Sequence, residues 1–212
     1  MRRQRHRLAF PGKKSRMRTV HPFADKWNHS TAYYPEIARL VAGHQVVLDA
    51  GCGDGTLARY LADNGHQVIG IDSDAGVLPA DEPGVHFVLA DVTALPYPAD
   101  SFDAVVAVMV LHQTRMELAL AEMRRVLKPG GVLVDLGCAA DKGAAELARS
   151  GLDIPATLWA RRGKTRWEPA TRKVDPQLGW AETQAVFDRM LPGSRWQRVT
   201  GWRYLASWRR PE

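Results

Sequence analysis

The sequence predicts an α/β fold in which a seven-stranded, mostly parallel sheet lies between two layers of helices. Three observations carry this reading. Between residues 45 and 135, short apolar runs alternate with helical patterns; each of the first four runs ends in a polar residue or a glycine loop; and the C-terminal stretch reads as a two-stranded hairpin. Such alternation builds a parallel sheet wrapped by helices. A hairpin added to it makes one strand antiparallel, at or near an edge.

Composition leaves this reading unopposed. At 212 residues, 45% hydrophobic and 25% charged, the chain has the make-up of a soluble domain large enough to need no staples. Its longest apolar run, residues 104–111, stops at His112 and is far short of a bilayer span. The start of the chain lacks the apolar region of a signal peptide. Two widely separated cysteines, Cys52 and Cys138, argue against a disulfide framework and for a reducing compartment, so a cytoplasmic location is expected. The net charge of +6 is uneven, because Arg2, Arg3, Arg5, Arg7, Lys13, Lys14, Arg16 and Arg18 all precede the first acid, Asp25. Residues 1–18 therefore read as a basic, solvated tail, or as an arm for RNA or another polyanion. A start at Met17 would remove all but one of those charges.

Each element follows from its local pattern. Residues 44–48 are β-rich and nearly all apolar, as a strand buried on both faces should be. The helical pattern after Asp54 stops near Asn64 and Gly65, where glycine accepts a left-handed conformation. Residues 67–71, 86–89 and 103–111 give the next strands, closed by Asp72, Asp91 and His112. Over 115–127, Met116, Leu120, Met123 and Leu127 recur at helical spacing, leaving Arg124, Arg125 and Lys128 for solvent. Pro129, Gly130 and Gly131 are expected to stop that helix before a fifth strand at 132–134. Residues 151–176, rich in Arg, Trp and Pro with little periodicity, read as a cap or insertion. A helix at 180–191 and strands at 196–198 and 202–208 complete the chain, with Trp202, Tyr204 and Trp208 alternating as one core face. The predicted organisation is thus a tail (1–18), an N-terminal lid segment (19–44) and one domain (45–212) carrying the cap.

The stretch DAGCGDGT at 49–56 is the most informative. Glycines 51, 53 and 55 let the backbone turn tightly out of a strand and bring a ligand close to main-chain N–H groups at a helix start. A nicotinamide-dinucleotide loop would need G-x-G-x-x-G, and the sixth position here is Thr56. Its pyrophosphate would also meet Asp49 and Asp54, which repel it. A ligand with a cationic head group is attracted instead. Asp72, closing the second strand, can accept two hydrogen bonds from a ribose diol.

Here the sequence resembles the class I S-adenosylmethionine-dependent methyltransferases. VVLDAGCGDGT looks like their first motif, GIDSD their second, LADVTALPYPADSFDAVVAVMVLHQ their third and fourth, and RRVLKPGGVLV the segment leading into the fifth strand. The resemblance covers residues 45–135 and implies a three-layer Rossmann-like fold with S-adenosylmethionine as cofactor. It implies that Asp49, Gly51, Gly53 and Gly55 line the methionine end, that Asp72 holds the ribose, and that Asp91 and Val92 contact the adenine. It places His112 near the transferred methyl, and Tyr33 and Tyr34 in a lid segment.

Transfer from a sulfonium needs an oriented acceptor and, for some acceptors, a base. His112 is the expected base or acceptor-orienting residue, since an imidazole works near neutral pH; the alternative is a strand-end residue that only shapes the pocket. Tyr34, Gln113, Trp159 and Trp167 are the expected substrate-side residues. Cys52 reads as a small packed residue. No metal site is expected, because the histidines show no ligand spacing. The Asn- or Asp-Pro-Pro-aromatic motif that family members acting on exocyclic amines carry is replaced by Val110-Leu111-His112-Gln113. A small-molecule acceptor at oxygen, nitrogen or carbon is therefore expected. An RNA acceptor held by the basic tail, or a non-catalytic cofactor-binding module, are the alternatives.

Overall fold

Neighbouring residues of each central strand feed different cores. Val47 and Leu48 are both fully buried, yet they pack in separate apolar clusters, because successive side chains leave a sheet on opposite faces. The computed structural model describes residues 26–169, 171 and 174–212. The basic tail and the start of the expected lid lie outside those residues.

In chain order the elements are β1 (Lys26–Trp27), α1 (Tyr34–Leu40), β2 (Val46–Ala50), α2 (Thr56–Asp63), β3 (Gln67–Asp72), β4 (Val85–Leu89), β5 (Phe102–Val108), α3 (Met116–Val126), β6 (Leu127–Gly137), α4 (Ala144–Ala160), β7 (Thr165–Arg166), α5 (Trp180–Met190), β8 (Arg195–Val199) and β9 (Arg203–Arg209). The main sheet has seven strands in the order β4-β3-β2-β5-β6-β9-β8. All its pairings are parallel except those of β9, which runs antiparallel to both β6 and β8. One face packs on α3 and α5 through Leu120, Met123 and Phe187; the other packs on α1 and α2 through Ile37, Leu57 and Leu61. This is the three-layer fold expected from the sequence.

Three local expectations are corrected. The fourth strand ends at Val108, not at residue 111. Met109 turns the chain aside with a φ of 62° and Leu111–Gln113 form a 3-10 turn, because the cleft edge needs a bend there that no apolar count reveals. Nor does Pro129-Gly130-Gly131 stop the preceding helix. α3 ends at Val126 and β6 starts at Leu127, with the register shifting between Phe102 and Ala104 so that those residues loop within the strand. Third, residues 151–160 belong to α4, which continues through Pro155.

β1 and β7 form a separate two-stranded parallel sheet, extended by the Trp167 N–H donating to the Trp27 carbonyl at 2.9 Å. It fastens the N-terminal segment to the segment after α4. No helix among the described residues is long and apolar enough to cross a membrane.

Candidate functional site

β2, β3, β4, β5 and β6 all point their carboxyl ends to one edge, and β2 pairs with both β3 and β5. Ligands of open α/β sheets bind outside that edge, where the strand order reverses. A cleft of about 1130 Å³ opens there. Small-molecule sites typically hold roughly 300–1000 Å³, so the cleft can take two small ligands side by side.

One end of the cleft is acidic, with Asp49, Asp54, Asp72, Asp74 and Asp91 on its wall. Asp49 is 1% exposed at the end of β2. Burial, reinforced by Asp72 and Asp54, pushes its carboxyl up to about 8. The Ala58 amide reaches this carboxylate, but Oδ2 has no hydrogen-bond partner among the described residues. Asp72 holds the loop in shape: Oδ2 accepts from the Gly53 N–H at 2.9 Å and Oδ1 from the Asp74 N–H at 3.0 Å. Asp54 Oδ1 accepts from the Thr56 N–H and hydroxyl in the turn that leads into α2. Asp91 accepts twice from Thr93, which holds its carboxyl below the usual range.

The glycines divide by task. Gly51 has a φ of 75°, and a Cβ there would lie 2.3 Å from Val110, so only glycine fits. Gly53 also lines the cleft. Gly55 does not: it caps α2 in a left-handed conformation, and a Cβ there would strike the Phe87 ring at 2.5 Å. Cys52 is buried beneath the loop and its thiol is pushed far up by burial, so it is packing.

The other end is aromatic and basic. His112 lies on the 3-10 turn after β5; burial, then the charge of Arg203, lowers its pKa to about 4 despite the Val174 carbonyl and Asp175. Its Nδ1 is buried with no partner among the described residues. Beside it stand Gln113, Cys138, Trp202 and Arg203, with Asn28, His29, Trp167 and Glu168 contributed by the segments that flank β1 and β7.

The structure thus gathers Asp49, Gly51, Gly53, Asp72, Asp91, Val92, His112, Gln113, Tyr34 and Trp167 around one cleft. Tyr34 sits at the acid end, where burial and then Asp49 raise its pKa, and not at the end with His112. Gln113 turns its Nε2 to the Met109 carbonyl at 2.6 Å. Trp159 departs from expectation: it is 78% exposed on α4 and not on the cleft wall. α4 carries it outward, and Trp167 is the residue whose segment turns back over the cleft. His29, Cys138 and Arg203 were not anticipated. Near Arg203 the sequence signals only the turn at Thr200-Gly201 between the two strands of the hairpin. Trp202 takes a φ of 59° in that turn and reaches the cleft instead of the core.

Comparison with known proteins agrees with this geometry. A family model described as "Methyltransferase domain" matches residues 48–135. An uncharacterized methyltransferase of Mycobacterium bovis is 33% identical over 199 residues, covering 87% of this chain and 98% of that one. A demethylmenaquinone methyltransferase of Renibacterium salmoninarum is 43% identical over 94 residues, 42% of this chain and 40% of its own length. Among solved structures, the 1,6-didemethyltoxoflavin-N1-methyltransferase of Burkholderia thailandensis, with bound 1,6-didemethyltoxoflavin and S-adenosylhomocysteine, superposes with a TM-score of 0.59 at 21% identity. That match covers 88% of this chain and 81% of the other, and shows a shared fold.

Proposed function

The chain belongs to the class I S-adenosylmethionine-dependent methyltransferases, and we propose that it methylates a small organic molecule at oxygen, nitrogen or carbon. The cofactor, S-adenosylmethionine, supplies a methyl group on a sulfonium that leaves as a neutral thioether. The residues present suit it. Asp49, buried with an unanswered oxygen, would receive the ammonium; the loop amides at Gly51 and Gly53 would receive the carboxylate; Asp72 would take the ribose hydroxyls, and Asp91 with Val92 the adenine.

The remainder of the cleft is the acceptor's. The observation that carries the small-molecule reading is the roof: the segments joined by β1 and β7 bring Asn28, His29, Trp167 and Glu168 over the space beside His112. A recess covered on that side fits a small ligand and excludes water from the reacting atoms. His112, neutral at physiological pH, would orient the acceptor through a hydrogen bond. The relatives named demethylmenaquinone methyltransferase and 1,6-didemethyltoxoflavin-N1-methyltransferase carry small organic acceptors in their names, which supports the same class.

Calorimetric titration with S-adenosylmethionine and, separately, with NAD tests the cofactor half. Binding of the first alone, weakened by Asp49→Asn, is expected; binding of neither, or of NAD only, would refute the reading. A second reading, an RNA acceptor, is favoured by the eight basic residues before Asp25. Deleting residues 1–16 separates the two. Loss of RNA affinity together with a flatter salt dependence would support RNA, whereas a small-molecule enzyme keeps its turnover.

A further inference from the structure

The covered end of the cleft holds a cation, Arg203, that has no ion-pair partner among the described residues. Arg203 begins β9 directly after the hairpin turn and lines the cleft beside His112 and Trp202. One nitrogen, Nη1, donates to the Gly201 carbonyl at 3.2 Å, while Nε is buried with no hydrogen-bond partner among the described residues. No ion pair among the described residues includes it. Glu168 has electrostatic reach to it, but lies 3.5 Å from Arg166. Arg198, by contrast, is fully answered: it stacks over Trp180 at 3.8 Å, donates to Ser150 at 2.6 Å and lies 3.3 Å from Asp141.

A desolvated charge without a partner is costly, and a guanidinium cannot escape by giving up its proton. His29 lies edge-on to Trp202 at 5.5 Å and lines the cleft with His112 and Arg203, and burial, then the charge of Arg203, lowers the pKa of both imidazoles. The acidic groups facing that volume are Glu168, Asp175 and Asp141, the last already engaged by Trp180 and Arg198. Asp54, Asp72, Asp74 and Asp91 line the cleft with Asp49, and the charges acting on Asp49 are those of Asp72 and Asp54, not that of Arg203. Five aspartates thus line the part of the cleft where a cationic cofactor would sit, and Arg203, with Glu168 and Asp175 nearby but no ion pair among the described residues, lines the part where the acceptor would sit.

We infer that the methyl acceptor is an organic anion whose carboxylate, or similarly planar oxyanion, seats on the unpartnered Nε edge of Arg203 between Trp202 and His112. This rests on the methyltransferase reading of the site. A guanidinium edge offers two parallel N–H groups, which match a carboxylate and not a neutral amide.

The test uses protein saturated with S-adenosylhomocysteine and titrates benzoate, 3-phenylpropionate and hexanoate, each against its own carboxamide, by calorimetry. At least one carboxylate is expected to outbind its amide by roughly tenfold. In Arg203→Met that preference falls to within about threefold, and Arg203→Lys keeps part of it, retaining the charge without the planar edge. Equal binding of all three pairs to the wild type, or an undiminished preference in Arg203→Met, overturns the proposal. Titration with S-adenosylhomocysteine alone comes first. If the wild type does not bind it, the methyltransferase site and this inference fall together; if it binds and no carboxylate is preferred, this inference falls alone. Should Arg203→Met fail to bind S-adenosylhomocysteine, Arg203→Lys decides, and an unchanged preference there overturns the assignment.

Discussion

Asp49 combines burial, neighbouring negative charge and an unanswered oxygen, and these set a proton against the cofactor. With its carboxyl pushed up to about 8, the free protein holds this side chain largely protonated at neutral pH, whereas an ammonium needs the carboxylate. Cofactor binding should therefore release a proton below pH 8 and tighten as pH rises from about 6 to about 8. Calorimetry in buffers of different ionisation enthalpy measures the release directly. Asp49→Asn should abolish that linkage and weaken binding about ten- to a hundredfold, the worth of one charge-assisted hydrogen bond. His112 invites the opposite experiment. An imidazole held down to about 4 is a weak base at neutral pH, so the rate profile should show no break near 6.5, the ordinary imidazole value. His112→Gln should retain more turnover than His112→Ala, because an amide can still orient an acceptor.

At the scale of elements, the turn out of β2 depends on main-chain geometry more than on any side chain. Gly51→Ala must both hold a φ near 75° and displace Val110, which strain of this kind makes worth about 1–3 kcal/mol. The expected result, read by denaturant titration and calorimetry, is a folded protein that has lost cofactor affinity. Asp72 is a poor residue to delete in a test of ribose binding, because its carboxylate also fixes the Gly53 and Asp74 amides. Elsewhere, Asp141 ties the α4 segment to the hairpin. It accepts from the Trp180 indole at 2.7 Å and from Ser150 at 2.5 Å, and pairs with Arg198, whose side chain is 9% exposed. Asp141→Ala strands that cation, and stability should fall by about 3 kcal/mol or more in urea unfolding.

Over the whole molecule, three buried groups shape stability against pH. Asp49 and Asp135 are raised from 3.8 to about 8 and about 7 by burial, so the native state keeps protons that the unfolded chain has released. The stability this contributes is full below about pH 4 and is lost as pH climbs to about 8. His112 acts in the other sense: lowered from 6.5 to about 4, it destabilises the fold as pH falls across that interval. Above pH 6.5 only the two carboxyls of this set still titrate. The melting temperature of the cofactor-free protein is expected to drop between pH 6.5 and 8, with a shallower slope in Asp135→Asn. Saturating cofactor, which holds Asp49 as the carboxylate, should oppose that drop.

The parts legible in the sequence are those set by local pattern. Alternating apolar runs specify strands buried on two faces, glycines at 51 and 53 specify backbone that other residues cannot adopt, and aspartates at 49, 72 and 91 fall at strand ends because that is where the chain emerges from the sheet. Together they gave the fold class and the acid end of the cleft. α4 was hidden because Gly151 and Pro155 depress helical propensity that tertiary packing restores. Arg203 was hidden for another reason. Nothing near it in sequence distinguishes it from the other arginines of a basic hairpin, and only the antiparallel pairing of β9 with β6 carries it to the carboxyl edge of the sheet. The sequence by itself determined the acid end, whose aspartates at 49, 72 and 91 lie within 50 positions of one another at the ends of consecutive strands. Only the tertiary structure decided the aromatic and basic end, because His29, His112, Trp167 and Arg203 lie far apart in the chain and owe their meeting to long-range contacts.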